Sequence, residues 1–202
     1  MRVVVAFVLA VALAGTASAN LLLNSDFSTP ATAGQINTLT INNWTSWGSD
    51  GWYQTDIDSD WSVKFWGTGA GMFQDWDCTA DGVYTFSVQA YQTLAEQLTT
   101  ESAYLKVEWY NTDYSTQLGA STLDSLTGSD PVASWNTLSG TATAVVGAAH
   151  GRVVLGLEGT EGAGAAFFDD ATVDLQAIPE PTSALLGLLG VGLVAILRRR
   201  TR

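Results

Sequence analysis

Val83-Tyr84-Thr85-Phe86-Ser87-Val88-Gln89-Ala90 alternates without a break. Tyr84, Phe86, Val88 and Ala90 fall on one side of an extended chain, and Thr85, Ser87 and Gln89 on the other. A period of two is that of a strand with one face buried and one wet. The same period recurs on either side. In Ala103–Tyr110, Leu105, Val107 and Trp109 oppose Tyr104, Lys106, Glu108 and Tyr110. Val153, Leu155 and Leu157 share a face downstream, as do Ala171, Val173 and Leu175, a set whose parity Asp169 shares. Leu21-Leu22-Leu23 opens the run, and Thr93–Thr99 alone reads as helical or loop-like. Short strands broken by Gly, Asn, Asp and Ser about every ten residues predict one all-β domain, a sandwich or barrel.

Charge narrows the partners. Of the 202 residues, eight are basic and 20 acidic. Arg2, Arg198, Arg199, Arg200 and Arg202 lie in the end segments. Residues 20–180 therefore keep Lys64, Lys106 and Arg152 against all 20 acids, so 3 − 20 = −17. Such a surface repels phosphate backbones and excludes nucleic acid as a partner. A single cysteine, Cys78, excludes an internal disulfide and a cysteine-based zinc site. His150 is the sole histidine, and nothing near it resembles a nucleophile elbow.

The ends carry their own signals. Arg2, the apolar stretch Val3–Ala14 and the small-x-small triplet Ala17-Ser18-Ala19 read as a signal peptide over 1–19, so the mature chain is expected to begin at Asn20. At the other end Ile178-Pro179-Glu180-Pro181 precedes an apolar run, Ser183–Leu197, and then Arg198-Arg199-Arg200. As a helix at about 1.5 Å per residue that run reaches roughly 22 Å, short of a ~30 Å hydrocarbon core. One reading is a plain single-span anchor with its arginines in the cytoplasm. Taken in order, the three parts over 178–202 closely resemble the PEP-CTERM sorting signal, with Pro179, Glu180 and Pro181 on its motif. That resemblance implies a Gram-negative, exopolysaccharide-making host. It also implies a transient inner-membrane anchor and cutting near the motif by an exosortase-type membrane transpeptidase.

Words within residues 20–177 resemble a second family. Asn20-Leu21-Leu22-Leu23-Asn24-Ser25-Asp26-Phe27, Asn43-Trp44-Thr45-Ser46-Trp47-Gly48, Gly71-Met72-Phe73-Gln74, Asp81–Phe86 and Phe168–Val173 follow the order of the galactose-binding-like jelly rolls. Many carbohydrate-binding modules have that fold. The resemblance implies a β-sandwich jelly roll with Trp44 in its core. It also implies a structural calcium between first and last strands, for which Asp26, Asp169 and Asp170 would supply oxygens. Ser28 departs from the acidic residue expected after Phe27. The alternative for Asp169 and Asp170 is a capped, exposed strand end.

Six of the eight tryptophans lie between Trp44 and Asp77. A flat aromatic ring under the C–H face of a sugar, with amides and carboxylates at its rim, is an established mode of glycan recognition by rigid amphipathic side chains. Trp47, Trp52, Tyr53, Trp66, Gln74 and Trp76 are the candidate glycan-binding residues, weighed against the use of tryptophan as core. Asp56-Ile57-Asp58-Ser59-Asp60 lacks the glycine and closing glutamate of an EF-hand, with Trp61 and Gly67 in those places, and reads as an acidic loop. The expected function is non-catalytic glycan or exopolysaccharide binding at the cell surface or in the matrix. Its rivals are a structural or adhesive matrix protein and a small glycoside hydrolase.

Overall fold

The computed structural model describes residues 19–29, 41–48, 52–57, 60–160 and 162–176. The expected signal peptide with Ala17, the expected sorting motif Pro179-Glu180-Pro181 and the apolar run 183–197 lie outside these residues; Ala19 is the first within them. Among the described residues there is no helix, and none long and apolar enough to cross a membrane.

The described residues form ten strands: β1 (Thr45–Trp47), β2 (Trp52–Ile57), β3 (Asp60–Phe65), β4 (Gly71–Asp77), β5 (Val83–Tyr91), β6 (Glu101–Tyr110), β7 (Gln117–Leu126), β8 (Trp135–Thr143), β9 (His150–Gly159) and β10 (Ala166–Leu175). They divide into two five-stranded sheets, β1-β4-β9-β6-β7 and β2-β3-β10-β5-β8, with neighbouring strands antiparallel throughout. The molecule is a β-sandwich jelly roll. Its core lies between the sheets, where Tyr84, Phe86 and Val88 of β5 meet Leu105, Val107 and Trp109 of β6 and Val153 and Leu155 of β9. Burying a side chain of this size contributes about 1.5–3 kcal/mol, which is why burial alternates strictly along β5 and, apart from the buried Tyr104, along β6.

Two sequence expectations change. Leu21-Leu22-Leu23 is not a ladder strand. Its support comes largely from side chains: Asn20 Nδ2 donates to the Ala171 carbonyl, Asn20 Oδ1 accepts from Val173 N–H, and the Gln74 amide bonds both N–H and C=O of Leu23. One backbone bond, Leu21 N–H to the Val173 carbonyl, completes the join to β10. Asp169 does not share the inward parity of Ala171 and Val173. The register of β10 on β5 shifts between Asp169 and Thr172, where Asp170 takes a positive φ of 48°. A bulge flips the side-chain parity of everything beyond it. Asp169 accordingly pairs with Gln89, in an outward row, yet is buried (4% exposed).

Phe27 also adopts a left-handed φ, 52°, costly for a bulky residue. Complete burial against Trp44, ring centroids 5.0 Å apart, holds it there, and the Trp44 indole N–H donates to the Asn24 carbonyl. Trp44 is core, as the family resemblance implies.

Candidate functional site

Ladder register dictates which outward side chains meet on the sheet β1-β4-β9-β6-β7. Trp47, Gly71, Gly156 and Tyr104 form one cross-strand row, and Phe73, Val154 and Lys106 the next. Asp75, Arg152 and Glu108 follow, then Asp77, His150 and Tyr110. The first row has two glycines at its centre, and that absence of side chains makes a trough. A Cβ at Gly71 would run into Cζ2 and Cη2 of Trp47, and one at Gly156 would lie 2.9 Å from the Tyr104 hydroxyl. The indole therefore leans over the sheet floor, beside Phe73 at 6.2 Å between centroids. Trp47, Phe73, Tyr104, Lys106, Glu108, Arg152 and Val154 together line a pocket of about 230 Å³.

The polar rim is fixed by mutual bonds. Arg152 donates through Nε and Nη2 to the two Asp75 oxygens, 2.6 and 3.0 Å, and its guanidinium sits 3.7 Å from the Phe73 ring centre and 4.7 Å from that of Tyr110. Lys106 Nζ lies 2.6 Å from Glu108 Oε1, whose Oε2 accepts from the Tyr110 hydroxyl at 2.7 Å. Burial pushes the Glu108 carboxyl up, but bonds from Lys106 and Tyr110 outweigh it and hold the group below its ordinary range. Burial, with Glu158 and Glu108 nearby, pushes Tyr104 up to about 12; burial and the Glu108 bond do the same for Tyr110. Both phenols keep their protons at any physiological pH. Beyond the last row Tyr114 stacks on His150, centroids 4.1 Å apart and planes 12° off parallel.

Of the residues singled out in the sequence, Trp47 is the one in this groove. Gln74 and Trp76 lie outside the groove, on the inward parity of β4, each 6% exposed. The Gln74 amide is consumed by Leu23. Trp76 lies against Gly151, where a Cβ would collide with its ring, and packs on Tyr84, Phe86 and Trp109 at 5.8–5.9 Å. Both nevertheless border a second, open pocket of about 420 Å³ with Leu21, Leu23, Asp75, Asp77 and Tyr114. Trp52, Tyr53 and Trp66 belong to the other sheet or its rim: Trp52 stands opposite Phe65, Tyr53 opposite Lys64, and Trp66 just follows β3. The groove's Phe73, Tyr104, Lys106, Glu108, Tyr110 and Arg152 were not among the candidates. The alternation of Ala103–Tyr110 had put four of them on one face, but tryptophan density drew the reading elsewhere.

The three carboxylates expected at a calcium site are not gathered. Asp26 is exposed and accepts from the N–H and hydroxyl of Ser28, and Asp169 Oδ1 accepts from Asp170 N–H. No group of three or more His, Cys, Asp or Glu able to hold a metal occurs among the described residues.

Comparison with known proteins locates both halves of the chain. Residues 177–201 match the PEP-CTERM protein-sorting motif, which marks an exported protein processed at the membrane. No curated protein matches the sequence. The fold is similar to that of a xylan-binding domain from CBM 22, at 16% identity and TM-score 0.55, covering 79% of this chain and 99% of that one. It is similar to TmCBM61 in complex with β-1,4-galactotriose, at 17% identity and TM-score 0.51, covering 79% and 100%. It is similar, too, to the CBM22-1–GH10 modules of Clostridium thermocellum endo-1,4-β-D-xylanase 10B, at 14% identity and TM-score 0.52 over 67% of this chain. The chain spans 26% of that structure's length. Cyclases are also among the similar folds, so the architecture is shared by binding modules and enzymes.

Proposed function

We propose that this is an exported, non-catalytic protein of the cell surface or extracellular matrix that binds a glycan chain along the outer face of β1-β4-β9-β6-β7. After export it is cut at its sorting motif by an exosortase-type transpeptidase. One observation carries the glycan reading: the Trp47 indole laid over a glycine floor, flanked by Phe73 and Tyr104 and rimmed by fixed charged and phenolic groups. The side chains are held by packing and by each other, so little ordering entropy is lost when a ligand arrives. The carbohydrate partners of the similar modules, xylan and β-1,4-galactotriose, support a polysaccharide as the ligand class, and the host's own exopolysaccharide is the natural one to try.

The hydrolase alternative needs one protonated carboxyl as acid. The groove's two carboxylates are Asp75, clasped by Arg152, and Glu108, held ionised by Lys106 and Tyr110. Glu108 so held is not placed to give a proton at neutral pH, and Asp75 is engaged by the guanidinium, which favours binding without catalysis.

The test is Trp fluorescence of residues 20–176 titrated with a glycan panel that includes the exopolysaccharide. A saturable change that Trp47→Ala weakens by tenfold or more, about 1.4 kcal/mol, with circular dichroism unchanged, is the expected result. No response to any glycan sinks the reading and favours a structural or adhesive matrix role.

A further inference from the structure

The outer face of the opposite sheet, β2-β3-β10-β5-β8, has one row unlike its neighbours. Ladder pairing places Lys64, Phe167, Tyr91 and Trp135 side by side across four of its strands. Tyr91 lies 5.3 Å from Trp135 and 5.9 Å from Phe167, centroid to centroid. Lys64 Nζ sits 5.2 Å from the Phe167 ring centre and 6.0 Å from that of Trp66, with both oxygens of Glu96 at 2.6 and 2.7 Å. The rows beyond it are hydroxyls and amides: Gln89 bonds Thr137, Ser87 bonds Thr172, and Thr85 stands opposite Thr141.

An outward sheet face needs only polar rows where it meets water, yet within this band Lys64 and Phe167 are covered, 8% and 5% exposed. A cross-strand aromatic pair adds roughly 0.2–1 kcal/mol to sheet stability. That explains Tyr91 with Trp135, but not a band continued through Phe167 and Lys64 to Trp66. Tyr91, Trp135 and Trp66 are only half-buried and keep ring surface towards solvent. The open part of the band is the Tyr91–Trp135 pair, one strand spacing of about 5 Å and so room for about one sugar ring, with Trp66 open beyond the buried Phe167 and Lys64. Its one cation is already neutralised by Glu96, so it offers nothing to a phosphate or sulfate. Half-exposed rings bordered by a lattice of neutral hydroxyls and amides are the chemistry that suits an uncharged polysaccharide.

We propose that this aromatic band is a second glycan-binding face, back to back with the Trp47 groove, so that one molecule bridges two polysaccharide chains. The inference rests on the glycan reading of the groove and deepens it: the protein is a cross-linker of the matrix, not a monovalent ligand carrier. Faces on opposite sides of a sandwich whose sheets lie about 10 Å apart cannot serve one stretch of chain together.

The experiment uses the full chain purified in a zwitterionic detergent, with soluble xylan, β-1,4-galactan and the host exopolysaccharide as probes. Light scattering reads cross-linking, and affinity electrophoresis reads binding. Wild type is expected to raise the scattering of at least one probe. Trp47→Ala and Trp135→Ala should each abolish that rise while still being retarded in the gel, and the double variant should not be retarded. Trp135→Thr, which keeps strand propensity, guards against misfolding, and Trp135→Phe should restore cross-linking. If Trp135→Ala and Trp135→Thr cross-link like wild type, the band is not a site, although the groove reading stands. If Trp135→Ala converts a dimer into a monomer, the band is a protein interface and the inference is overturned. No retardation of any probe by wild type overturns both this inference and the groove reading.

Discussion

Glu101 opens β6, the strand that carries Tyr104, Lys106, Glu108 and Tyr110 into the groove, and its carboxylate is caged. Oε2 accepts from the backbone N–H groups of Thr99 and Thr100, both at 3.1 Å, and from the Thr99 hydroxyl. Oε1 accepts from Gly164 N–H at 3.2 Å. The residue is 4% exposed. Burial alone raises its pKa, but the amide donors win and bring it down from 4.5 to about 2. At about 1.36 kcal/mol per unit, that lowering corresponds to at most about 3 kcal/mol of stability. Because the folded pKa lies below the unfolded one, the contribution is complete above pH 4.5 and is lost as pH falls towards 2. Glu101→Gln removes the charge and turns an amide donor towards amide donors. The variant should lose about 3 kcal/mol at pH 7, a fall in Tm of roughly 6–12 °C for a domain of this size. At pH 3 the gap to wild type should shrink to about 1–2 kcal/mol. Thermal unfolding followed by circular dichroism at both pH values measures it. An unchanged Tm at pH 7, or a gap equal at the two pH values, would refute the argument that an ionised cage anchors this strand.

Trp76→Ala should cost about 3–5 kcal/mol of stability by denaturant titration, in contrast to Trp47→Ala, which should cost little; equal losses would mean the two rings are not divided between core and surface. All three bases of the described domain are paired, Lys64 with Glu96, Lys106 with Glu108 and Arg152 with Asp75, so neutral glycans should be bound in preference to polyuronates, with affinity nearly flat between low and physiological salt. Tighter binding of a polyuronate, weakened by salt, would contradict this. Since Asp26 Oδ1 and Asp169 Oδ1 already accept from neighbouring donors, a chelator should leave Tm within about one degree; a rise on adding calcium that Asp169→Asn abolishes would instead reveal a metal site.

The sandwich was legible where burial enforces alternation. Val83–Ala90 and Ala103–Tyr110 read correctly because every second side chain enters the core. β7 and β8 escaped notice: they are edge strands of Thr, Ser, Gly and Leu with mostly exposed side chains, and exposure imposes no pattern. Asp169 misled because parity counts through a bulge only if the bulge is known, and Asp170 gives no local warning beyond being a residue tolerant of positive φ. The site was harder still. It depends on which strands become neighbours, so that Gly71 and Gly156, far apart in sequence, form one floor beneath Trp47 and Tyr104. Tryptophan-rich sequence could mark contact surface, but not say that Trp76 would turn inwards while Trp47 stayed out.

The order of strands also sets a clock. β10 lies at the centre of its sheet, between β3 and β5, and Asn20 and Leu21 bond to it across almost the whole length of the domain. During export from the N-terminal end, the first residues to emerge must wait for almost the last before the sandwich can close, and contacts so distant in sequence form slowly. The sorting motif follows β10 at once. Completion of the fold and arrival of the cutting signal at the membrane therefore fall together, and a chain truncated before β10 would lack the central strand and the signal alike.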